Sequence, residues 1–461
     1  MPPLSSGALQ RHYLKQEPYA EEPHVRVCAG GAGQPAFLPR PITLLALAIY
    51  DQDRVAGRRD DCRLYSPHLM RLNCCICGEY GLQYPHEVRR LKGYIHELPD
   101  WPHFRWNHET LDKKLAAVRY GQGELIGRMK AMGFSLRTEA VFQTLTLDVL
   151  KSSEIEGEIL DREQVRSSIA QHLGMDIGAL TPVSRNVEGV VEMTLDATQN
   201  YDKPLSKERL FGWHASLFPI GYSGMRKIKV GGWRDDSKGP MQVISGPVGH
   251  ERVHFEAPAA DRIEQEMTAF LDWFNNDDGT DLVLRAGIAH LWFVTIHPFE
   301  DGNGRIARAL ADMMLARSEQ SPQRFYSMSA QIRNERDAYY GGLEETQKGT
   351  LDVTTRLEWF LDCLNHAFDG VESTLAIVLK KARFWESYGG TPFNDRQRLI
   401  LNKLLDGIEG KLTSSKWAKL AKCSQDTALR DILELVEYDI LAKDPAGGRS
   451  TSYSLIVPIH N

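Results

Sequence analysis

The chain has 461 residues, 42% of them hydrophobic and 25% charged, with a formal net charge of −6 at pH 7. That length exceeds one ordinary hydrophobic core, so two or three domains are expected. The slightly acidic balance gives no general reason to bind nucleic acid or a membrane surface, and the longest apolar run, PITLLALAIY, falls well short of the ~20 residues of a bilayer-spanning helix.

No basic segment opens the chain, and that apolar run lies too far from the first residue for a leader; both features predict a cytoplasmic protein without a membrane partner. Residues 1–91 carry AGGAGQP, scattered prolines and RRDD, with no sustained helical or strand period. They read as a disordered extension, or as the product of a start assigned too far upstream. Cys28, Cys62, Cys74, Cys75 and Cys77, five of the seven cysteines, fall there. Cys74 and Cys77 form one CxxC, which Cys62, His68 or His86 could complete as a zinc site. No second pair at matching spacing follows, so free thiols in a reducing cytoplasm are the simpler reading.

At about residue 92 the character changes. GYIHELPDWPHFRW is dense in aromatics, and a helical pattern runs from Glu109 to about Met132. In the next helix Val141, Leu145 and Val149 repeat at helical spacing, and continuing the stripe reaches Ser152 and Glu156, followed by Gly157. A core-facing stripe that turns into hydroxyl and carboxylate asks for a partner inside the protein. Glycine in a helix also costs about 1 kcal/mol relative to alanine. DREQVRSSIAQHLG continues the helical pattern and completes a small domain, 92–180.

Residues 205–320 read as mainly helical with one interruption. MQVIS and RVHFE, two β-prone runs around a Gly/Pro turn, predict a hairpin over 241–255. Helical pattern resumes through TRLEWFLDCLNHAF and TLAIVLKKARFWES, giving a domain over 181–383, and YGGTPFND is a linker. In the last domain, 394–461, LTSSKWAKLAK is a helix after a serine cap and CSQDT is a turn with a new cap. ALRDILELVEY is a second helix, and DILAKDPAGGRSTSYSL is two short strands around a Gly-Gly turn. That order is a winged helix-turn-helix. From Asn394 onward ten Lys/Arg face nine Asp/Glu, so the module is barely basic. DNA contact through Arg430 and Arg449, protein docking and homodimer formation all stay open.

The most informative segment is HPFEDGNGRIAR, residues 297–308, lying between two apolar helices. Gly302, Asn303 and Gly304 form a glycine-rich turn at a helix start, where backbone N–H groups and the helix dipole favour an anion. Arg305 and Arg308 are three residues apart and share a face, and two guanidiniums above such a turn suit a polyphosphate. Asp301 supplies one carboxylate, which is enough for Mg²⁺ already bound to nucleotide phosphates. His297 stands where it can take a proton from a hydroxyl.

This string resembles the Fic family signature, HPFx(D/E)GNGRxxR, at every fixed position. The resemblance implies a mainly α fold: a Fic-type helical bundle with a β-hairpin flap, preceded by a small helical domain and followed by the winged helix. It implies transfer of AMP from ATP to a Ser, Thr or Tyr hydroxyl of a target protein, with Mg²⁺ or Mn²⁺. His297 would be the general base and Asp301 the metal ligand. Gly302, Asn303 and Gly304 would line the anion hole, Arg305 would bind the transferred and adjacent phosphates, and Arg308 the γ-phosphate. Relatives with other donors or reactions often depart from this motif, for instance with lysine in place of Gly304; this chain keeps glycine, which the resemblance associates with ATP and adenylylation. The hairpin matches the family's flap, which pairs with the target's main chain. NERDAYYGGLEETQKGTLDVT resembles the segment completing the adenine pocket, with Tyr339 and Tyr340 nearby. Ser152, Glu156 and Gly157 fit the family's inhibitory pattern (S/T)xxxE(G/N). That implies an ion pair from Glu156 to Arg308, with Gly157 letting two helices approach. The segment from YIHELPDWPHFRW through SSIAQHLG is similar to a domain of unknown function that precedes Fic in many bacterial proteins. Two alternatives remain: removal of AMP from a modified protein, and a DNA-binding regulator whose Fic site is secondary.

Overall fold

Local chemistry sets the ends of most helices. In the computed structural model, which describes residues 25–29, 93–177, 180–237, 239–247, 250–408, 410–445 and 451–456, side-chain oxygens cap about half of the helix starts. The CxxC, its candidate partners and Arg449 lie outside these residues. A first strand, β1 (Val25–Ala29), precedes α1 (His108–Ala131), which opens on Asn107, and α2 (Phe134–Ile155). Asp161 caps α3 (Arg162–Leu173); α4 (Arg185–Gln199) follows, and Ser206 caps α5 (Lys207–Leu217). Each cap oxygen accepts from a first-turn N–H that has no partner within the helix.

Two antiparallel pairs come next. β2 (Tyr222–Ser223) pairs with β3 (Arg226–Lys227), and β4 (Met241–Ser245) pairs with β5 (Arg252–Glu256). The second is the hairpin expected over 241–255. β4 is the middle strand of three, because β1 pairs antiparallel along its other edge from Val25↔Ser245 to Ala29↔Met241. The expectation of an unstructured extension therefore fails for these five residues. Main-chain pairing needs only an open strand edge, and it is invisible to a search for side-chain periodicity.

The bundle centre is α7 (Leu282–Ile296), reached through α6 (Ile263–Asn275) and buried from Val283 to Ile296. A helix that is apolar all round must sit inside the bundle. It packs against α8 (Asn303–Glu319), and α9 (Met328–Asn334), α10 (Arg336–Gln347), α11 (Thr354–Asp369) and α12 (Val371–Ser387) complete the layer. One hydrophobic core runs without interruption from Leu111 to Val378.

A second core, from Phe384 to Tyr453, gathers α13 (Asp395–Leu405), α14 (Ser414–Ala421), α15 (Gln425–Glu437) and the antiparallel pair β6 (Leu441–Lys443) and β7 (Tyr453–Leu455). The α14 cap is Thr413 rather than the serine that follows it, and Ser424 caps α15. The two cores are joined by a buried ion pair, Arg166 to Asp406 at 2.7 Å, with Gln143 and Lys381 also bonded to Asp406.

Candidate active site

The helical stripe of α2 buries Leu145, Val149 and Ser152 and then stops at Ile155. Glu156 is the C-cap, and Gly157 follows with φ of +81°. The N–H of Gly157 reaches Glu154 O and that of Glu158 reaches Ser153 O, both at 3.0 Å. This is a Schellman ending, in which glycine takes the left-handed position at little steric cost. Glu156 and Gly157 thus end the helix rather than lie inside it. A Cβ on Gly157 would meet nothing within 4 Å, so helix approach is not its reason. The close approach is at Gly304, where a Cβ would overlap the Glu156 carboxylate.

That carboxylate is aimed at Arg308, 2.7 Å from Oε1 to Nη1. Ser152 supplies the rest of the cradle: its hydroxyl accepts from Nε at 3.0 Å and its carbonyl from Nη2 at 2.7 Å. All three guanidinium nitrogens are engaged. Burial disfavours the charge, but the Glu156 carboxylate together with Tyr339 and Tyr340 outweighs it, and the Arg308 pKa is raised. The serine and the glutamate, one helical turn apart, serve one arginine.

His297 ends α7 in the left-handed region, φ 52° and ψ 57°, an uncommon conformation for a non-glycine residue. The strain is held by Arg234, whose Nε donates to the His297 carbonyl at 2.8 Å and whose N–H bonds Pro298 O at 3.0 Å. His297 Nδ1 lies 3.2 Å from the Val294 carbonyl. A carbonyl only accepts, so Nδ1 carries the proton and Nε2 keeps its lone pair. Nε2 is buried and has no protein partner. Burial pushes the imidazole pKa down from 6.5 to about 4, so the ring is neutral at pH 7.

The 298–302 loop is stapled from below by Asn303, whose Oδ1 accepts from Phe299 N–H at 3.0 Å while Nδ2 donates to Phe299 O at 2.8 Å. Its side chain is spent on the loop, so what it offers an anion is backbone. Gly302, with φ of +80°, opens α8. The Asp301 carboxylate accepts from the Ser223 hydroxyl on β2 and from the Gly302 N–H. Arg305 lies over the Phe218 ring at 5.1 Å and bonds Glu158 at 2.6 Å.

These groups surround two cavities. One of about 370 Å³ is lined by Glu156, His297, Asp301, Gly302, Asn303, Gly304, Tyr339 and Tyr340, and also by Val243, Ser245 and His254 of the hairpin. The other, about 700 Å³, is lined by Glu156, Glu158, Ser223, Arg226, Asp301 and Arg305. Tyr339 is nearly buried, with its hydroxyl 3.0 Å from His290 Nε2, and the Tyr340 hydroxyl donates to Ile155 O at 3.2 Å. The residues singled out from the sequence for this site line these two cavities, except Ser152 and Arg308, which bond each other and, through Arg308, Glu156 on the wall of both. Sequence reasoning missed Ser223, Arg234, Glu158 and the chain Ser245–His254–Glu344, with bonds of 2.6 and 2.5 Å. Arg252 and Lys348 also bond Glu344. Burial would raise the Glu344 carboxyl, but its hydrogen bonds pull it down to about 2. Only Glu158 left a signal, one residue beyond the glutamate–glycine pair.

Residues 204–315 match the Fic/DOC family. The chain carries a Fic domain. Residues 94–175, which bring Ser152 and Glu156 to that domain, match a domain of unknown function, DUF4172. The chain is 25% identical over 280 residues to a protein adenylyltransferase Fic of Drosophila willistoni, covering 57% of this chain and 48% of the relative. It is 33% identical over 99 residues to protein adenylyltransferase fic-1 of Caenorhabditis briggsae, covering 21% and 18%. The chain thus spans about half the length of these relatives or less. A Fic family protein from Desulfovibrio desulfuricans G20 superposes with a TM-score of 0.42 at 22% identity, covering 76% of this chain and 97% of that one. The Fic domain contains His297, Asp301 and both arginines, whereas the carboxylates facing those arginines come from outside it. Among the described residues no helix is long and apolar enough to cross a membrane.

Proposed function

We propose that the chain is an autoinhibited protein adenylyltransferase, moving AMP from ATP to a Ser, Thr or Tyr hydroxyl of a target protein. The observation that carries this reading is the neutral His297, which lines the cavity shared by Asp301 and the start of α8 and whose buried Nε2 has no partner. The target hydroxyl oxygen forms a bond to the α-phosphorus of ATP and its proton passes to Nε2. The bond from that phosphorus to the bridging oxygen breaks, and pyrophosphate leaves. A base this weak gains mainly from its position. The amides opening α8 and the Arg305 guanidinium stabilise charge on the phosphates.

The residues present fit a hard divalent cation. Asp301 is one carboxylate facing both cavities, pinned by Ser223, and phosphate oxygens and water would complete the shell. Mg²⁺ or Mn²⁺ bound there would neutralise phosphate charge. The hairpin edge is suited to an extended target segment, since main-chain pairing aligns a hydroxyl without fixing its identity.

Inhibition follows from the Arg308 cradle. A γ-phosphate reaches that guanidinium only by displacing Glu156, so ATP binds out of line with the base. The test is the full chain and its Glu156→Gly variant with α-labelled ATP, Mg²⁺ and a cell lysate, with His297→Ala as control. Glu156→Gly should label itself and a target far faster, and His297→Ala should lose about 10²–10⁴-fold in rate. Labelling no faster in Glu156→Gly overturns the inhibitory reading. Release of AMP from a labelled target by the unchanged chain would instead favour the reverse reaction, with Glu156, which lines both cavities, orienting water.

A further inference from the structure

The turn that ends α2 carries a second carboxylate, and it faces the second arginine-bearing position of the site. Glu158 Oε2 lies 2.6 Å from Arg305 Nη1. Gly157 takes the left-handed conformation between the two glutamates, and the N–H groups of Glu156 and Glu158 both point to the Ser153 carbonyl, at 3.1 and 3.0 Å. The chain reverses there, so residues on either side of the glycine reach towards α8 together. Arg305 and Arg308 are one turn apart on α8. The spacing of two carboxylates across one turn matches the spacing of two guanidiniums along one helix.

The two pairs are not equivalent. Arg308 has every nitrogen engaged, three bonds to Ser152 and Glu156, and the two glutamate side chains keep similar exposure, 27% for Glu156 and 38% for Glu158. Arg305 is itself nearly buried and, among the described residues, donates only to Glu158, with a buried Nε left without a partner. Glu158 also lines the 700 Å³ cavity with Arg226, Ser223 and Asp301. An anion in that cavity competes with the Glu158 carboxylate for the Arg305 guanidinium.

We propose that Glu158 is a second latch. It holds Arg305 against phosphate as Glu156 holds Arg308, so that a single turn withholds both phosphate-binding guanidiniums. This rests on the reading of the site as a nucleotide site, but not on the reaction carried out there. A phosphate oxygen must replace the carboxylate on Nη1, and a charge-assisted hydrogen bond in competition shifts an equilibrium about tenfold. Releasing Glu156 alone leaves Arg305 latched.

The test measures nucleotide affinity separately from turnover. Titration calorimetry with ATP on the full chain should give tighter binding for Glu158→Gln than for the unchanged chain, by about tenfold. Glu156→Gly/Glu158→Gln should bind tighter than Glu156→Gly by a similar factor. With Arg305→Ala added, the Glu158→Gln gain should vanish. Gly157→Ala, which strains the left-handed turn without touching either carboxylate, should move affinity in the same direction. Equal ATP affinity with and without Glu158 in the Glu156→Gly background overturns the second latch, as does weaker binding on its removal. A loss of AMP transfer in every variant, with the affinity pattern kept, would fault the proposed reaction and leave the latch standing.

Discussion

At the scale of single residues the site depends on which groups are charged. His297 is neutral because it is buried, and its proton sits on Nδ1 because a carbonyl faces that nitrogen. The expected titration midpoint is about 4, read from the ring Cε1–H shift in selectively labelled protein; a midpoint near the ordinary ~6.5 would refute the buried neutral base. Transfer should then show no loss attributable to His297 from pH 8 down to about pH 5. Stability moves the other way. The unfolded chain takes up this proton at about 6.5 and the folded chain only near 4. Over that interval the unfolded state binds more protons, so the His297 contribution falls as pH falls. His297→Asn should remove it, and denaturant midpoints of the two proteins between pH 6.5 and pH 4 check this.

At the scale of elements, the flap is the least predictable piece. β4 and β5 follow from alternating β-prone runs, yet β4 has both edges paired because β1 covers one of them. Among the described residues, the main core and the C-terminal core both draw on residues after Gly93. Deleting residues 1–90 should therefore leave the melting temperature unchanged within ~2 °C, since surface changes away from a core are usually small. The β4 amides that face β1 should lose their partners and exchange faster by hydrogen–deuterium exchange. Unchanged exchange across Met241–Ser245 would mean that β1 does not cover that edge in solution.

At the scale of the whole molecule, the C-terminal module is clamped to the helices on either side of the Glu156–Glu158 turn. Asp406 ends α13 and pairs with Arg166 of α3, both side chains 7% exposed. Lys381 and Glu139 extend the network, at 2.8 Å from each other. Removing one partner of a buried pair leaves the other uncompensated and costs about 3–5 kcal/mol, whereas replacing both by apolar residues is often neutral. Asp406→Ala should lower the unfolding midpoint strongly, and Arg166→Met/Asp406→Leu should recover most of it, as denaturant titration would measure. If the single variant costs nothing, the clamp does not hold the module. The helix α15 bears Arg430 together with Asp426, Glu434 and Glu437, while Asp431 is buried against Arg396; such a mixed charge is a poor surface for a phosphate backbone.

The sequence alone determined most of the helices, the 241–255 hairpin and the Fic-like motif of 297–308, because periodicity, caps and a dense local motif are all short-range signals. It also marked Ser152 and Glu156 as anomalous, since an apolar stripe that turns polar requires an internal partner. What it gave for Gly157 was the wrong reason: glycine ends the helix there, and the residue that must be small for the glutamate is Gly304. Only the tertiary structure decided that Glu158 meets Arg305 and that Ser223 pins Asp301. It alone put β1 on β4 and joined Arg166 to Asp406. Each of these joins residues 78 or more positions apart, through single side chains or main-chain edges that leave no period in the sequence. Such contacts exist only after the cores have packed, and packing fixes which distant groups share a wall.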